Sequence, residues 1–318
     1  MTAFWTDKRV VVTGGAGFLG SHLVHLLEAA GARVFVPRSV EYDLRSQADV
    51  IQMYEDADKR GAIDILFHLA ARVGGIGANQ RYPADFYYDN TLMNTLICEY
   101  AHRFGVGKLV AVGSVCAYPK ICPYPFQEHH LFEGFPEETN AAYGISKRAL
   151  LVHLQALRRQ YDFNGIYLIP TNLYGPGDSF DPDTSHVIPA LIRKIVKAAE
   201  FGLDEVEVWG TGRASRDFLY VEDCARALML AAEHYDSPPS GPVNLGSGQE
   251  IYIAGLVKML CDIAGYRGRI IYNTSKPDGQ PRRVLNSERA RHAFGWKATT
   301  RLEDGLRRTV EWWRELPE

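Results

Sequence analysis

Near its N-terminus the chain reads RVVVTGGAGFLGSHLVHLL, in which Gly14, Gly17 and Gly20 separate a short apolar run from a segment with helical periodicity. Glycines at this spacing permit a tight turn and a close approach of the backbone, so that a helix N-terminus can face the pyrophosphate of a dinucleotide. A strand-helix turn without a ligand is the alternative. Because the motif opens the first β-α-β unit of the chain, the dinucleotide site is favoured.

The rest of the chain continues this alternation. Segments with apolar residues at i, i+3 and i+4 lie between short β-rich runs that lack polar alternation, which is typical of parallel strands buried on both faces. The runs are RVVVTG, ARVFVP, DILFHLA, KLVAVGS, GIYLIP and PVNLGS. We therefore predict an α/β fold with a doubly wound parallel sheet of the Rossmann type.

A second, smaller α/β domain is predicted to bind the substrate. Beyond Pro170 the chain becomes rich in Gly, Pro and Asp before helical periodicity resumes in ALIRKIVKAAE. We assign residues 1–170 and 214–250 to the dinucleotide-binding domain and residues 171–213 and 251–318 to the substrate domain. No flexible linker separates them, so the two parts should pack closely.

Composition excludes several classes of function. The net charge of -3 gives no general attraction to nucleic acid or acidic lipid. Five cysteines without CxxC spacing argue against a disulfide framework and against a zinc site. The chain shows neither a signal-peptide pattern nor an apolar stretch of about 18 residues. We expect a soluble cytoplasmic protein without a metal.

The residues after the second predicted strand bear on the choice of dinucleotide. An NAD site usually places an acidic residue there for the ribose 2′-hydroxyl, whereas FVPRSVEYDL offers Arg38 and reaches its acids only at Glu41 and Asp43. Arg38 is therefore expected to contact a 2′-phosphate, which favours NADP over NAD. A solvated surface arginine is the alternative.

Four residues in the middle of the chain predict redox and proton-transfer chemistry. Tyr143 and Lys147 are four apart at the start of an amphipathic helix, so the lysine can lower the pKa of the phenol and reach a bound ribose. Ser114 and Cys116 are two apart in LVAVGSVCAY. If that run were a strand throughout, their side chains would lie on the same face. A YxxxK pair by itself is weak evidence for an active site, but the presence of Ser114 and of the glycine loop in the same chain strengthens that evidence.

With Ser114, Tyr143 and Lys147 the chain resembles the extended, nucleotide-sugar-modifying branch of the short-chain dehydrogenase/reductase superfamily. Within that branch it resembles the GDP-L-fucose synthase family, whose members epimerise and reduce GDP-4-keto-6-deoxy-mannose. The segments that carry the resemblance are ARVGGIGANQRYPADFYYDN, GSVCAYPK, PTNLYGPGDSFDPDTSHVIPALIRK, VWGTGRASRDFLYVEDCA and SKPDGQPRR. They are spread over nearly the whole length of the chain.

The resemblance implies roles for particular residues. It implies carbonyl reduction by Ser114, Tyr143 and Lys147, and epimerisation by Cys116 and His186 as an acid/base pair. It also implies a homodimer packed through the helices around residues 88–104 and 143–161. Expected NADP(H) contacts are Gly14, Gly17, Phe18, Leu19, Gly20, Arg38, Asp43, Leu44, Ala70, Asn90, Lys147, Pro170 and His186. Expected GDP-sugar contacts are Asn172, Lys194, Trp209, Arg216 and Arg283.

The chemistry of these residue types fits that reaction. A C4 ketone acidifies the hydrogens on C3 and C5, because the carbanion is an enolate. A thiol and an imidazole on opposite faces of the ring can then invert those carbons near neutral pH. Val115 and Cys116 stand where dehydratases of this branch carry Asp-Glu, which argues against dehydration. A GDP-hexose or GDP-heptose 3- or 5-epimerase with little net reduction remains the alternative, and a catalytically inactive NADP-binding protein is a further one.

A local basic cluster in the second half of the chain is predicted to bind the substrate diphosphate. The guanidinium group matches phosphate oxygens by paired hydrogen bonds, and Arg216 is the preferred candidate because RDFLYVED is similar to the family pattern. The cluster consists of Arg193, Lys194, Arg213, Arg216, Arg282 and Arg283.

Overall fold

A computed structural model describes residues 3–181, 185–236, 241–276 and 278–316. The strands in this part of the chain are β1 (Arg9–Thr13), β2 (Arg33–Phe35), β3 (Ile65–His68), β4 (Lys108–Val112), β5 (Gly165–Pro170), β6 (Asn172–Tyr174), β7 (Glu205–Trp209), β8 (Ser215–Tyr220), β9 (Val243–Leu245), β10 (Glu250–Tyr252), β11 (Arg269–Asn273) and β12 (Arg282–Arg283). The α-helices are α1 (Phe18–Ala29), α2 (Gln47–Asp58), α3 (Ile76–Arg81), α4 (Pro83–Arg103), α5 (Ala141–Tyr161), α6 (Val187–Phe201), α7 (Val221–His234), α8 (Ile253–Ala264), α9 (Glu288–Phe294) and α10 (Leu302–Glu315). Short 3₁₀ turns lie at Ala3–Trp5, Val115–Ala117, Glu128–Phe132 and Glu138–Asn140.

The central sheet has six parallel strands in the order β2-β1-β3-β4-β5-β9. Each of the six apolar runs in the sequence forms one of these strands, and the predicted doubly wound parallel sheet is confirmed. The chain leaves β1 in one direction to β2 and returns on the other side to β3. This reversal opens a crevice at the carboxyl ends of β1 and β3, where ligands of open α/β sheets bind.

Helices cover both faces of this sheet, which explains why its strands lack polar alternation. On one face the core includes Met53 of α2, Ile97 of α4 and Leu154 of α5. On the other face it includes Leu27 of α1 and Leu228 of α7. Helix α5 is thus packed against both the sheet and α4.

A smaller unit carries its own core. Helices α6, α8 and α10 pack with Ile192, Leu256 and Leu306 around two small sheets. One sheet joins β10, β8 and β12, with β6 beside β8, and the other pairs β11 with β7. The predicted division into residues 1–170 with 214–250 and residues 171–213 with 251–318 stays a prediction.

The described residues contain neither a candidate membrane span nor a candidate metal cluster. None of their helices is both long and apolar enough to cross a bilayer. Within the same ranges, no cluster of three or more His, Cys, Asp or Glu side chains is arranged to hold a metal ion. All five cysteines are free thiols.

Candidate active site

The glycine loop between β1 and α1 forms a cradle that only glycine could line. Gly14 has a φ of +71°, and a Cβ there would lie 2.7 Å from the backbone nitrogen of Ala70. A Cβ on Gly20 would lie 2.1 Å from the carbonyl oxygen of Gly14. Helix α1 begins after Gly17 without a side-chain cap, so its first N–H groups face the loop. These features fit the pyrophosphate of a dinucleotide.

The other residues expected at the cofactor lie around this loop. Arg38 is exposed, three residues beyond the end of β2. The carboxylate of Asp43 accepts from Arg45 at 2.8 Å, and this bond holds the pKa of Asp43 below its usual value. Asn90 is buried and fixes the loop after β3 by exchanging two 3.0 Å hydrogen bonds with the backbone of Arg72. Asn90 thus supports the loop that Ala70 belongs to.

Four further predicted contacts have well-defined positions. Phe18 and Leu19 form the first turn of α1, and Leu44 lies on the half-buried loop before α2. Pro170 is the buried last residue of β5. All four therefore lie at the carboxyl edge of the sheet or on the loops that leave it.

Ser114 and Cys116 are close together, but not because they share a strand face. Strand β4 ends at Val112, and residues 115–117 form a 3₁₀ turn. The prediction of a common strand face was therefore wrong. The Ser114 hydroxyl instead accepts a 3.2 Å hydrogen bond from the backbone N–H of Cys116 and so caps the turn. The geometry of this turn, and not the pleat of a β-strand, therefore holds the serine and the thiol close together.

Tyr143 lies in the first turn of α5, and its phenol is close enough to the Ser114 side chain for the serine to lower the pKa of the phenol slightly. Burial, and to a lesser degree Cys116, raises the pKa of the phenol above its usual value. The sequence-based expectation that Lys147 would lower this pKa is therefore not met in the protein alone, because desolvation is the larger effect. The phenol stays protonated near neutral pH, which is the state that a proton donor to a ketone needs.

Lys147 lies one turn further along α5 and is 2% exposed. Its Nζ donates a 2.9 Å hydrogen bond to the carbonyl of Val112 and lies 5.8 Å from the centre of the Tyr143 ring. Burial lowers the pKa of Lys147 to about 8. The ammonium is therefore poised to lose its charge in mildly alkaline solution.

We expect kcat/KM for NADPH-dependent reduction to fall as the pH rises through about 8. In the role predicted from the sequence, charged Lys147 stabilises the phenolate that Tyr143 becomes on giving up its proton; this charge is present below the lysine pKa and lost above it. Above the pKa of Lys147, kcat/KM should fall by about tenfold per pH unit, because activity then depends on a single bound proton. A pH profile of kcat/KM for NADPH measures it, and a flat profile from pH 7 to about 9.5 would contradict the assignment.

A buried polar chain that sequence reasoning missed supports this part of α5. Nδ1 of His68, at the end of β3, lies 2.8 Å from Oγ1 of Thr13, and its Nε2 lies 3.0 Å from Oδ1 of Asn94. Asn94 in turn donates to the carbonyl of Ser146 at 3.3 Å. Burial, and secondarily the charge of Lys147, lowers the pKa of His68 to about 3. The neutral imidazole connects the sheet to the helix turn that bears Lys147, and no spacing in the sequence marks it.

Two arginines from the smaller unit reach the Cys116 turn. Arg216 of β8 and Arg283 of β12 are direct partners in the parallel register of these strands. Nη1 of Arg283 lies 3.7 Å from Sγ of Cys116, and its Nε donates to Gln280 at 3.1 Å. Burial and the charge of Arg283 lower the pKa of Arg216 to about 9. Two adjacent partly buried cations favour an anionic ligand, and the thiol stands beside them.

His186 occupies the residue before α6 without a side-chain capping bond, and its side chain is half exposed. Its Nδ1 lies 3.9 Å from Oδ1 of the buried Asp178, close enough for an ion pair when the imidazole is protonated. The same loop reaches the first turn of α1, because Nε2 of His22 lies 2.8 Å from the carbonyl oxygen of Pro176 and a Cβ on Gly177 would meet the Phe18 ring at 3.8 Å. The loop that bears His186 therefore borders the glycine cradle.

Trp209 presents an exposed ring at the end of β7, with 57% of its surface accessible. Nζ of Lys194 lies 5.6 Å and Nζ of Lys276 lies 5.0 Å from the ring centre. Asn172, at the start of β6, donates to the carbonyl of Asp217 at 3.0 Å. An aromatic face flanked by two cations suits a planar base and its phosphates.

The remaining members of the basic cluster have other partners. Both oxygens of Glu250 accept from Arg282 at 2.6 Å, and Arg193 donates to the carbonyl of Phe180 at 3.1 Å. Arg213 is exposed on the loop before β8. Asp278, which sequence reasoning did not single out, accepts from Thr211 and so ties the loop after Trp209 to the segment that precedes Arg283.

The chain is similar to known proteins over nearly its whole length. Residues 10–246 match the NAD dependent epimerase/dehydratase family. A GDP-L-fucose synthase of Sinorhizobium fredii is 42% identical over 304 residues, which cover 96% of this chain and 95% of that protein. A GDP-L-fucose synthetase structure from Naegleria fowleri, bound to NADP, has a TM-score of 0.84 at 30% identity, covering 98% and 95% of the two chains. A GDP-6-OMe-4-keto-L-xylo-heptose reductase from C. jejuni has a TM-score of 0.89 at 27% identity, covering 99% of each chain.

Proposed function

This chain belongs to the NAD-dependent epimerase/dehydratase family and, within it, to the GDP-L-fucose synthases, and we propose that it epimerises and reduces a GDP-4-keto-6-deoxy-hexose. The reaction inverts carbons beside the C4 ketone and then reduces that ketone with NADPH. The observation that carries the proposal is the convergence of Ser114, Cys116 and Tyr143 on one turn, with Arg283 beside the thiol.

NADP(H) is the cofactor, as in the Naegleria relative. We assign its pyrophosphate to the cradle of Gly14, Gly17 and Gly20, and its 2′-phosphate to Arg38. When bound, the cofactor supplies the hydride that the ketone accepts. The hydrogen bond to the Val112 carbonyl holds the Lys147 side chain in place. In this position its ammonium can also reach a hydroxyl of the bound ribose.

Two sets of side chains serve the two steps, one at the carbons beside C4 and the other at the C4 oxygen. Cys116 and His186 move protons at the carbons flanking C4, one from each face of the ring. Ser114 and Tyr143 hydrogen-bond the C4 oxygen, where negative charge develops first in the enolate and later in the alkoxide. Tyr143 finally gives its proton to that oxygen, and Lys147 stabilises the resulting phenolate.

The GDP end of the substrate is assigned to the smaller unit. Arg216 and Arg283 bind the diphosphate end of the sugar nucleotide, with Lys194 and Trp209 further out towards the base. The assignment rests on the two adjacent guanidinium groups in register on β8 and β12 and on the exposed Trp209 ring. Asn172 completes this set beside the carbonyl end of β5.

We expect Arg216→Ala to raise the KM for the GDP-sugar on the order of 10²-fold, because a hydrogen bond to a charged group is lost. The KM for NADPH should not change, since the glycine cradle lies in the other unit. Steady-state kinetics with each substrate varied in turn measures both constants. Arg269→Ala removes an exposed arginine paired with Glu205 and serves as the matched control. Equal loss of both affinities would mean that Arg216 is structural.

The function is tested by incubating the purified protein with NADPH and GDP-4-keto-6-deoxy-mannose in D₂O. NADPH oxidation should accompany the appearance of a reduced sugar that carries deuterium at C3, C5 or both. NADH in place of NADPH should react more slowly. Exchange without oxidation of NADPH would instead support the epimerase-only alternative, and neither signal would support a binding protein.

A GDP-4-keto-heptose is the second candidate substrate. The observation that favours it is the similarity to the heptose reductase from C. jejuni along the whole chain. Comparison of kcat/KM for the two ketosugars decides between them. The epimerase-only alternative has less support, because the Ser114, Tyr143 and Lys147 set is complete.

A homodimer is also part of the proposal. Helices α4 and α5 pack against each other and expose Tyr88 and Val152, at 63% and 50%. These apolar side chains support association through the helices around residues 88–104 and 143–161. Light scattering of the purified protein measures the mass of the particle. We further propose that the protein works in the reducing cytoplasm, in keeping with its sparse cysteines.

A further inference from the structure

Arg148 follows Lys147 on α5 but serves a different part of the site. It is 8% exposed, and its guanidinium donates from Nε to the carbonyl of Ala117 at 2.6 Å and from Nη1 to the carbonyl of Gly134 at 2.8 Å. Its carbon Cζ lies 5.6 Å from the centre of the Phe132 ring. A single side chain thus joins α5 to the turn that carries Cys116 and to the loop that returns from it.

The Cys116 peptide is restrained on both sides of the thiol. Its N–H donates to Ser114, and its carbonyl oxygen lies so close to Gly144 that a Cβ on that glycine would approach it to 2.4 Å. The next carbonyl along the chain, that of Ala117, is the one that Arg148 holds. The turn is only three residues long, so movement of Ala117 moves the thiol.

A buried guanidinium in this place is costly unless it is bonded. Its partners are carbonyl oxygens, and Nη2 has no hydrogen-bond partner within the residues that the structure describes. The two carbonyl bonds are therefore the interactions through which Arg148 acts on its surroundings. A lysine carries one nitrogen in place of the fork and could not hold both carbonyls in the same way.

We propose that Arg148 is a positioning residue for Cys116, which sets the thiol against the substrate carbon and so decides whether epimerisation precedes reduction. The inference rests on the proposed function, since it needs both reactions to occur in one site. Tyr143 and Lys147 lie on the same helix, but neither hydrogen-bonds the Ala117 carbonyl, and Lys147 is held instead by the carbonyl of Val112. Loss of Arg148 therefore affects proton transfer at carbon more than hydride acceptance at C4.

The test uses Arg148→Met, Arg148→Lys and, as a control on the same helix, the exposed Arg159→Met. Each full-length protein is given NADPH and GDP-4-keto-6-deoxy-mannose in D₂O. We measure the rate of deuterium entry at C3 and C5 and the ratio of epimerised to unepimerised reduced sugar. Thermal unfolding and NADPH affinity are recorded to verify that each variant is folded.

Misplacement of a reacting group by about 1 Å can reduce a rate on the order of 10²-fold. We expect Arg148→Met to lower deuterium entry by about that factor and to shift the product ratio towards unepimerised sugar, while NADPH affinity is kept. In Arg148→Lys the ratio of epimerised to unepimerised sugar should lie between those of Arg148→Met and the wild type. In Arg159→Met this ratio and the rate of deuterium entry should equal the wild-type values.

An unchanged product ratio in Arg148→Met, or a parallel fall of both reactions, would overturn the positioning role. If Arg148→Met does not fold, the ratio in Arg148→Lys decides: a shift supports the role and a wild-type ratio overturns it. Absence of exchange in the wild type is a different outcome, because it overturns the proposed function itself.

Discussion

Tyr143→Phe is expected to lose ketone reduction by about 10²–10⁴-fold while still exchanging deuterium at the carbons beside the ketone. In the proposed mechanism the phenol is the proton donor to the C4 oxygen, and burial keeps it protonated. Exchange at carbon needs the thiol and the imidazole, which this change leaves in place. Ser114 can still donate one hydrogen bond to the enolate oxygen. The measurement pairs NADPH oxidation with deuterium incorporation in the recovered sugar.

Tyr167→Phe is the matched control for this prediction. Its hydroxyl is buried near the same helix and donates to the carbonyl of Lys147 at 2.8 Å, so its loss tests packing rather than proton donation. We expect its reduction rate to remain within about tenfold of the wild type. Equal losses in the two variants, or loss of exchange in Tyr143→Phe, would contradict the division of roles.

Cys116→Ser is expected to show the reverse pattern. Serine keeps the size of the residue and the cap on the turn, but a hydroxyl is a far weaker acid than a thiol and so does not supply an anionic base near neutral pH. Deuterium entry at C3 and C5 should fall by about 10²–10⁴-fold. The ketone should still be reduced slowly, which gives a reduced sugar that is not epimerised.

Cys261→Ser, in α8 of the smaller unit, controls for general effects of losing a thiol. Product analysis by NMR distinguishes the epimerised and unepimerised sugars. Normal exchange in Cys116→Ser would remove the thiol from the mechanism and leave His186 without its partner.

The sheet could be predicted from sequence because each strand is an uninterrupted apolar run with turn residues at its ends. All six runs became strands of the central sheet, and the glycines of the first turn lie where a Cβ would collide. These signals are local, since each depends on residues only a few positions apart. The YxxxK pair is local in the same way, because one helical turn joins its members.

The geometry around the thiol could not be read in this way. The apolar run LVAVGSV continues past the end of β4, and nothing in it marks the departure after Val112. The chain there passes close to the neighbouring strand, since a Cβ on Gly113 would lie 2.5 Å from the ring of Tyr167, and this proximity depends on residues far apart in the sequence. His68 and Arg148 were missed for the same reason, since their partners lie on distant segments.

The contact between Cys116 and Arg283 joins residues 167 positions apart. It depends on β12, two residues long, and on the neighbouring segment, where Phe126 donates to the carbonyl of Val284 at 2.8 Å. During synthesis the N-terminal part of the chain leaves the ribosome first and folds first. The segment that bears Arg283 leaves the ribosome near the end of synthesis, so the contact with the thiol forms only when this C-terminal segment docks onto the rest of the chain.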